Sequence, residues 1–252
     1  MSDNFQERIE QARGMLRSAR RVAAFTGAGI STESGISDFR SPGGVWDRHR
    51  IVTYQEFVAS AESRKEYWAM KKEFFHELMR ARPNRAHLAL AHLERGGRLD
   101  CLITQNIDGL HQEAGSSPER TIELHGTNRQ ADCLGCGRRR PIEEVQERLE
   151  SGEEDPRCED CGKLIKPATV MFGQSMPEGE MRRAFEGAAA CDLLFMIGSS
   201  LQVQPAASIP RAAHQTGAKL IFINRTETPW DHIAEIRFSE PAGEVMGQII
   251  SP

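Results

Sequence analysis

At 252 residues, with 39% apolar and 27% charged residues, the chain is long enough and mixed enough for a globular fold with a real hydrophobic core. A formal charge of −4 excludes a general nucleic-acid or membrane-surface binder, which needs concentrated positive charge. The one basic run, Arg138-Arg139-Arg140, suits a solvated surface patch. Met1 to Arg20 is polar and lacks the apolar heart of a signal peptide, and no apolar run approaches the roughly 18 residues of a membrane helix, so a cytoplasmic location is expected.

In chain order, residues 5–19 carry helical spacing, with Ile9, Ala12, Met15 and Leu16 on one face. Residues 21–25 form a short apolar strand that runs into Thr26-Gly-Ala-Gly29, the opening of a nucleotide-binding βα unit. Residues 54–81 read as mainly helical, Asn84 to Arg95 as a helix starting after Pro83, and Leu99 to Thr104 as a strand. Residues 127–166 change character and read as an inserted, charged module. Beyond it come a helix at 178–190, a strand at 191–197, a helix at 205–216, a strand at 219–223 and a last helix at 242–250. Alternating strands and helices imply an α/β fold built on a mostly parallel, Rossmann-like sheet.

Four of the six cysteines form two pairs, Cys133-x-x-Cys136 and Cys158-x-x-Cys161, separated by 21 residues. Each pair can offer two thiolates to one tetrahedral ion, with Gly135, Gly137 and Gly162 allowing the tight turns. Zinc is the expected occupant, against a disulfide or redox pair. Four thiolates leave no position for water, so the ion is structural, standing in for a core that so short a charged segment cannot build.

Gly27 and Gly29 follow a strand, but Thr32 stands where a dehydrogenase fingerprint has its third glycine, which disfavours hydride transfer. Taken alone the loop could be a plain tight turn. Backbone N–H groups near a helix start can hold a pyrophosphate, and Ser31, Thr32 and Arg40 add hydrogen bonds and one positive charge. Gly198-Ser199-Ser200 and Asn224-Arg225 follow two further strands, where parallel sheets bind ligands. The run from Thr104 to His111 and the Glu123-Leu-His125-Gly126 segment gather amide, carboxylate and imidazole groups, and spacing alone does not choose His125 over His111 as a general base.

These residues together resemble the sirtuin family. The matching segments are Gly27-Ala-Gly-Ile-Ser31, Asp38-Phe-Arg40, Thr104-Gln-Asn-Ile-Asp108, His125-Gly126, the four cysteines, Lys166-Pro with Phe172-Gly173, and Gly198-Ser-Ser-Leu201 followed by Asn224, in family order along essentially the whole chain. The resemblance implies a Rossmann-like domain from 1–36, 83–126 and 171–252, and a small domain made of a helical module (37–82) and a zinc-binding module (127–170). It implies an NAD-dependent protein lysine deacetylase that consumes NAD and releases nicotinamide, O-acetyl-ADP-ribose and free lysine. Its partners would be acetylated-lysine proteins or peptides.

The same resemblance assigns roles. Ala28, Ile30, Asn106, Ile107 and Asp108 would form the nicotinamide pocket, and Phe39 would shield the reactive ribose from water. Gly27, Gly29, Thr32, Asp38, Arg40, Gln105, Gly198, Ser199, Ser200, Asn224 and Arg225 would complete the NAD site. Asn106 and Asp108 would join His125 in catalysis, with His125 taking the proton from the ribose hydroxyls as they attack the imidate. Val170, Phe172, Gly173 and Val203 would flank the acyl peptide bound as an added strand, although Val170-Met-Phe172 also reads simply as a buried strand. Gln174 replaces a frequent glutamate. The Tyr-x-x-Arg pair of members that prefer acidic acyl groups is missing, because Met70 stands three residues after Tyr67, with Lys71 one beyond. Deacetylation over desuccinylation is therefore expected. ADP-ribosyl transfer or NAD hydrolysis from the same pocket, and an NAD-sensing module without turnover, are the competing readings.

Overall fold

The structure is a computed structural model that describes residues 2–37 and 49–250, with side chains from residue 4 onward. Six strands form one parallel sheet: β1 (Val22–Thr26), β2 (Cys101–Thr104), β3 (Thr121–Glu123), β7 (Leu193–Ile197), β8 (Lys219–Ile223) and β9 (Ile236–Phe238). Their order across the sheet is β3-β2-β1-β7-β8-β9. The chain thus winds outward from β1 to one edge and then from β7 to the other, which puts the reversal of direction between β1 and β7.

Alternation along the strands explains why both faces need helices. Val22 and Ala24 of β1 join a core with α1 (Ser2–Ser18), α4 (Arg85–Arg95) and α9 (Ala242–Ile250), through Ile9, Ala12 and Leu16, Leu90 and Leu93, and Val245 and Met246. Ala23 and Phe25 face the other way, onto Ala184 and Ala188 of α7 (Glu178–Ala190) and Ile209 and Ala213 of α8 (Ile209–Gln215). Met15, expected on the buried face of α1, is only partly buried against the first core.

A second, three-stranded antiparallel sheet has the order β5-β4-β6, from β4 (Gly126–Cys133), β5 (Arg139–Pro141) and β6 (Ile165–Thr169). The helical stretch expected at 54–81 is two helices, α2 (Tyr54–Ala59) and α3 (Ala61–Arg80). Ser60 separates them because its extended backbone lets its side chain cap α3 through the Ser63 N–H. The expected helix at 205–216 opens instead with a turn of 3-10 helix, Ala206–Ser208, before α8.

The charged module does have a core, contrary to the sequence expectation. Helix α6 (Ile142–Glu150) places Ile142, Val145 and Leu149 with Ala131 and Ile165 against Phe57, Tyr67 and Trp68. Neither segment carries enough apolar surface alone, so the two share one cluster. Its centre is a set of edge-on rings, with Phe57 and Tyr67 centroids 5.2 Å apart and Tyr67 and Trp68 5.9 Å apart. Spacing of i, i+3 and i+7 in α6 was the available signal, masked by its glutamates and arginine.

Arg64 ties the two segments together. It is 5% exposed, grips Asp155 with two hydrogen bonds of 2.9 and 3.0 Å, and donates to the Phe57 carbonyl. Arg64→Met should destabilise the fold by about 1–3 kcal/mol, because the Phe57 carbonyl loses its side-chain donor and Asp155 keeps only Arg157, which donates to its Oδ2 at 2.7 Å. An unchanged denaturant midpoint for that variant would show that the pair contributes nothing.

Candidate functional site

The carboxyl ends of five parallel strands deliver Gly27, Gln105, the Leu124–His125 step, Gly198 and Asn224 to one edge of the sheet. There a cavity of 910 Å³ opens across the β1–β7 reversal, where an α/β sheet binds its ligand. Two glycine loops meet at its floor. The Gly29 N–H donates to the Gly198 carbonyl at 2.8 Å. A Cβ on Gly27 would lie 2.8 Å from that oxygen, and one on Gly29 would lie 2.7 Å from the Gly198 Cα. Gly198 itself has φ +65° and faces the Ile30 nitrogen. The glycines are thus required by loop-on-loop contact, a need that a single loop read in isolation does not show. Beyond β1 the chain forms a 3-10 helix, Ala28–Ser34, in place of the α-helix of a dinucleotide fingerprint.

Of the residues expected at the cofactor site, Gly27, Ala28, Gly29, Thr32, Gln105, Ile107, Gly198, Ser199, Ser200, Asn224 and Arg225 all line this cavity. Asn106 and His125 line it too, as do Val170, Phe172, Gly173 and Val203. Asp108 lies instead on an adjoining chamber of 80 Å³, shared with Ala28, Ser31, Asn106 and Ile107. Ile30 lines neither: its side chain is fully buried in the first core, and its carbonyl accepts from Asn84 Nδ2. Asp38, Phe39 and Arg40 lie outside the described residues.

Between the two cavities runs a hydrogen-bonded net. Ser31 Oγ donates to Asp108 Oδ2 at 2.8 Å and accepts from Asn106 Nδ2 at 3.1 Å, while Asp108 Oδ1 accepts the N–H of Leu110, the first residue of the short helix α5 (Leu110–Glu113). Gln105 Nε2 reaches across the reversal to Ser199 Oγ at 2.8 Å. Behind the net are two histidines. His87 contacts Ser31 Oγ at 3.5 Å, and its Nδ1 accepts the Asn84 N–H as part of the cap of α4. Burial pushes His87 down to about 4 against the opposing charge of Asp108. His111, 1% exposed, is driven well below its ordinary value by burial and by His87. His87 escaped the sequence reading; its place three residues after the capping Asn84 was the signal.

The geometry separates the two histidines that spacing could not. His111 Nε2 sits 2.9 Å from Thr26 Oγ1, under the sheet edge and away from both cavities. His125 is half-buried on the large cavity, with Nδ1 2.9 Å from the Gln105 carbonyl. A carbonyl only accepts, so Nδ1 carries the proton and Nε2 is the basic nitrogen.

Val170-Met-Phe172 is not a buried strand. β6 ends at Thr169, and the chain then turns through Gly173 at φ +80°. The turn leaves Phe172 43% exposed and Met171 buried. The Phe172 carbonyl accepts the Tyr54 N–H at 2.9 Å, and Gln55 Nε2 donates to the Gly173 carbonyl at 2.8 Å, so the segment is anchored to α2. Tyr67 turns its hydroxyl to Thr169, and burial raises its pKa.

The four paired cysteines converge as well. Their sulfurs all lie within 4.8 Å of one another, with Cys133–Cys161 at 3.4 Å and Cys136–Cys158 at 3.8 Å. Tetrahedral zinc with Zn–S of about 2.3 Å implies S···S of roughly 3.8 Å, so the donor set fits that ion. The N–H groups of Gly135 and Cys136 point at Cys133 Sγ, 3.3 and 3.4 Å away, as they would toward a thiolate. A Cβ on Gly135 would collide with the Lys163 side chain at 2.5 Å, which explains that glycine. Cys101 and Cys191 are buried in the large sheet, and burial pushes both thiols up, to about 11 and about 12.

The reversal-point cavity and the tetrathiolate knuckle define a dinucleotide-binding α/β protein with a metal-stabilised small module. A family model described as Sir2 family matches residues 27–205. A relative named NAD-dependent protein deacetylase, from Thermodesulfovibrio yellowstonii, is 54% identical over 250 residues, covering 99% of this chain and 97% of the relative. A solved structure of Sir2 with p53 peptide and NAD+ superposes with a TM-score of 0.88 at 36% identity, covering 96% of each chain. Another, of a Sir2 variant with deacetylated p53 peptide and 3′-O-acetyl ADP ribose, gives 0.89 at 37% identity, again over 96% of each. The chain belongs to the Sir2 family.

Proposed function

We propose that this chain is an NAD-dependent protein lysine deacetylase. The observation that carries the reading is the convergence, on one cavity, of the reversal-point loops, His125 with its basic Nε2, and the Val170 and Val203 segments. NAD would lie over the Gly27–Gly29, Gly198–Ser200 and Asn224–Arg225 loops. Its nicotinamide would face the chamber lined by Ala28, Asn106, Ile107 and Asp108, where Ser31 fixes the two polar side chains. The acyl peptide would enter between Val170–Gly173 and Val203 as an added strand, a mode that relies on main-chain hydrogen bonds and tolerates varied sequences. The acyl oxygen would attack the ribose carbon as nicotinamide leaves, His125 would take a proton from the ribose hydroxyls as they attack the resulting imidate, and water would enter as the lysine amine is freed and the acetyl group stays on the ribose oxygen. The four cysteines would hold a structural zinc ion.

The same reading divides the chain into a Rossmann-like domain from 1–36, 83–126 and 171–252, a helical module from 37–82 and a zinc module from 127–170. No helix among the described residues is long and apolar enough to cross a membrane. A cytoplasmic location belongs to this proposal and suits six unbridged cysteines.

The test is nicotinamide release from NAD by the zinc-loaded chain with and without an acetyl-lysine peptide. Release that needs the peptide and is matched by O-acetyl-ADP-ribose is the expected result. Equal release without peptide points to NAD hydrolysis or ADP-ribosyl transfer and refutes the proposal. Succinyl-peptide turnover equal to acetyl-peptide turnover would overturn the acyl preference, which rests on Tyr67 being spent on Thr169 and on Met70 standing three residues beyond it.

A further inference from the structure

The 80 Å³ chamber beside the main cavity has one wall to which the proposed mechanism gives no role, and whose Met70 and Lys71 bear on the family resemblance only as the place where an acidic-acyl motif is missing. The wall comes from α3, whose Met70, Lys71 and Phe74 face Ile107 and Asp108 across the chamber. Lys71 donates from Nζ to Asn128 Oδ1 at 3.0 Å. Asn128 in turn donates its backbone N–H to the Ile107 carbonyl at 2.8 Å. The ammonium is therefore fixed, through one residue of β4, to the backbone that carries Asn106 and Asp108.

No carboxylate pairs with Lys71 among the described residues. Among the described residues the charged groups that face it are few. Lys166 of β6 lies near, its Nζ held by the Pro167 and Thr169 carbonyls. Asp108 lines the same chamber, but Ser31 and Leu110 occupy its oxygens. Glu77, on the same helix, accepts the Ser37 N–H. Arg129 of β4 donates to the Asp108 carbonyl. The Tyr67 ring is 5.4 Å away. Burial pushes Lys71 down to about 8, with the like charge of Lys166 adding to it. A methionine would fill the same space without partly desolvating an ammonium that has no counter-ion among the described residues, which is costly. A lysine used only to tie α3 to β4 would be a poor choice for that task.

We propose that Lys71 is a specificity-determining residue of this chamber, a fixed positive charge that discriminates against the cationic nicotinamide ring of NAD and in favour of the neutral nicotinamide that leaves. The inference rests on the proposed deacetylase reading, which places that ring here. While NAD is intact its pyridinium faces a like charge, and on cleavage the ring becomes neutral and the repulsion vanishes. The bound substrate is destabilised relative to the product of the same step.

The experiment compares NAD affinity and nicotinamide affinity in the zinc-loaded full chain, by calorimetry and by inhibition of peptide deacetylation, for wild type, Lys71→Met and Lys71→Arg. At pH 7 the Lys71→Met variant should bind NAD on the order of tenfold more tightly relative to nicotinamide, a size set by two charges a few ångströms apart in a partly dry site. Lys71→Arg should restore the wild-type ratio. Raising the pH from 7 to 9 should move the wild-type ratio toward that of Lys71→Met and leave the variant unmoved, since Lys71 loses its proton in that interval. A ratio within twofold of wild type in Lys71→Met, or equal changes in both variants, overturns the inference. So does a change confined to succinyl peptides, which would place the charge on the acyl group. Failure of the wild type to release nicotinamide with acetyl peptide refutes the deacetylase reading instead, a separate outcome.

Discussion

Replacing His125 by alanine is expected to lower peptide-dependent turnover by about 10²–10⁴-fold, the usual contribution of a positioned general base. Zinc content and melting temperature should stay at wild-type values. His125 is only half-buried, and its ring Nδ1 bonds the Gln105 carbonyl. Removing the ring leaves a carbonyl that can take water from an open cavity, so the fold has little to lose. Its tautomer is what the reaction needs. With the proton pinned on Nδ1, Nε2 is permanently poised to accept one. Steady-state rates of O-acetyl-ADP-ribose formation check the claim, read beside NAD binding. A variant that binds NAD normally and still turns over at a tenth of the wild-type rate or better would remove His125 from the proton transfer. His111→Asn gives a contrasting result. His111 is packed against His87 with ring centroids 4.9 Å apart and bonded to Thr26, so that change should act chiefly on stability.

The sequence and the structure agree most closely where one residue type has one physical use. The helix at 178–190 and the strand at 219–223 were placed without error, the helix because it buries one face through Ala184 and Ala188, the strand because residues 220–223 are buried on both faces and so form one apolar run. The paired cysteines announced their convergence because a thiolate quartet at that spacing has few alternatives. The features that stayed hidden depend on contacts between distant segments. Gly27 and Gly29 look like a phosphate loop, yet half of their requirement comes from Gly198, far along the chain. Ile30 matches a binding motif by position but is drawn into the core by the turn of the 3-10 helix. Helix α6 was obscured because its apolar stripe is completed by Phe57 and Trp68 from another module. Lys71 entered the sequence reading only as the residue beyond Met70, and its part-buried hydrogen bond to Asn128 on the chamber wall is visible only in the fold.

The knuckle supplies the other large expected effect. Cys136→Ser should reduce bound zinc well below one ion per chain and lower stability by several kcal/mol, a fraction of the roughly 10–16 kcal/mol that a structural zinc site contributes to folding. The loss should not be spread evenly. Cys133 and Cys158 belong to the same buried cluster as Phe57, Trp68, Val145 and Leu149, so loosening the knuckle opens the core that α3 and α6 share. The six-stranded sheet has its own two cores and no cysteine ligand, so β1, β7 and β8 should hold their structure. Hydrogen exchange resolves the two cases. Amides of β4, α3 and α6 should exchange faster in Cys136→Ser, or after chelation of wild type, while those of the large sheet remain protected. Because α3 forms one wall of the small chamber, deacetylation should fall with them although no zinc ligand touches that chamber. Uniform exchange across both sheets would mean that the chain unfolds as one unit, and unchanged zinc stoichiometry would mean that three thiolates suffice.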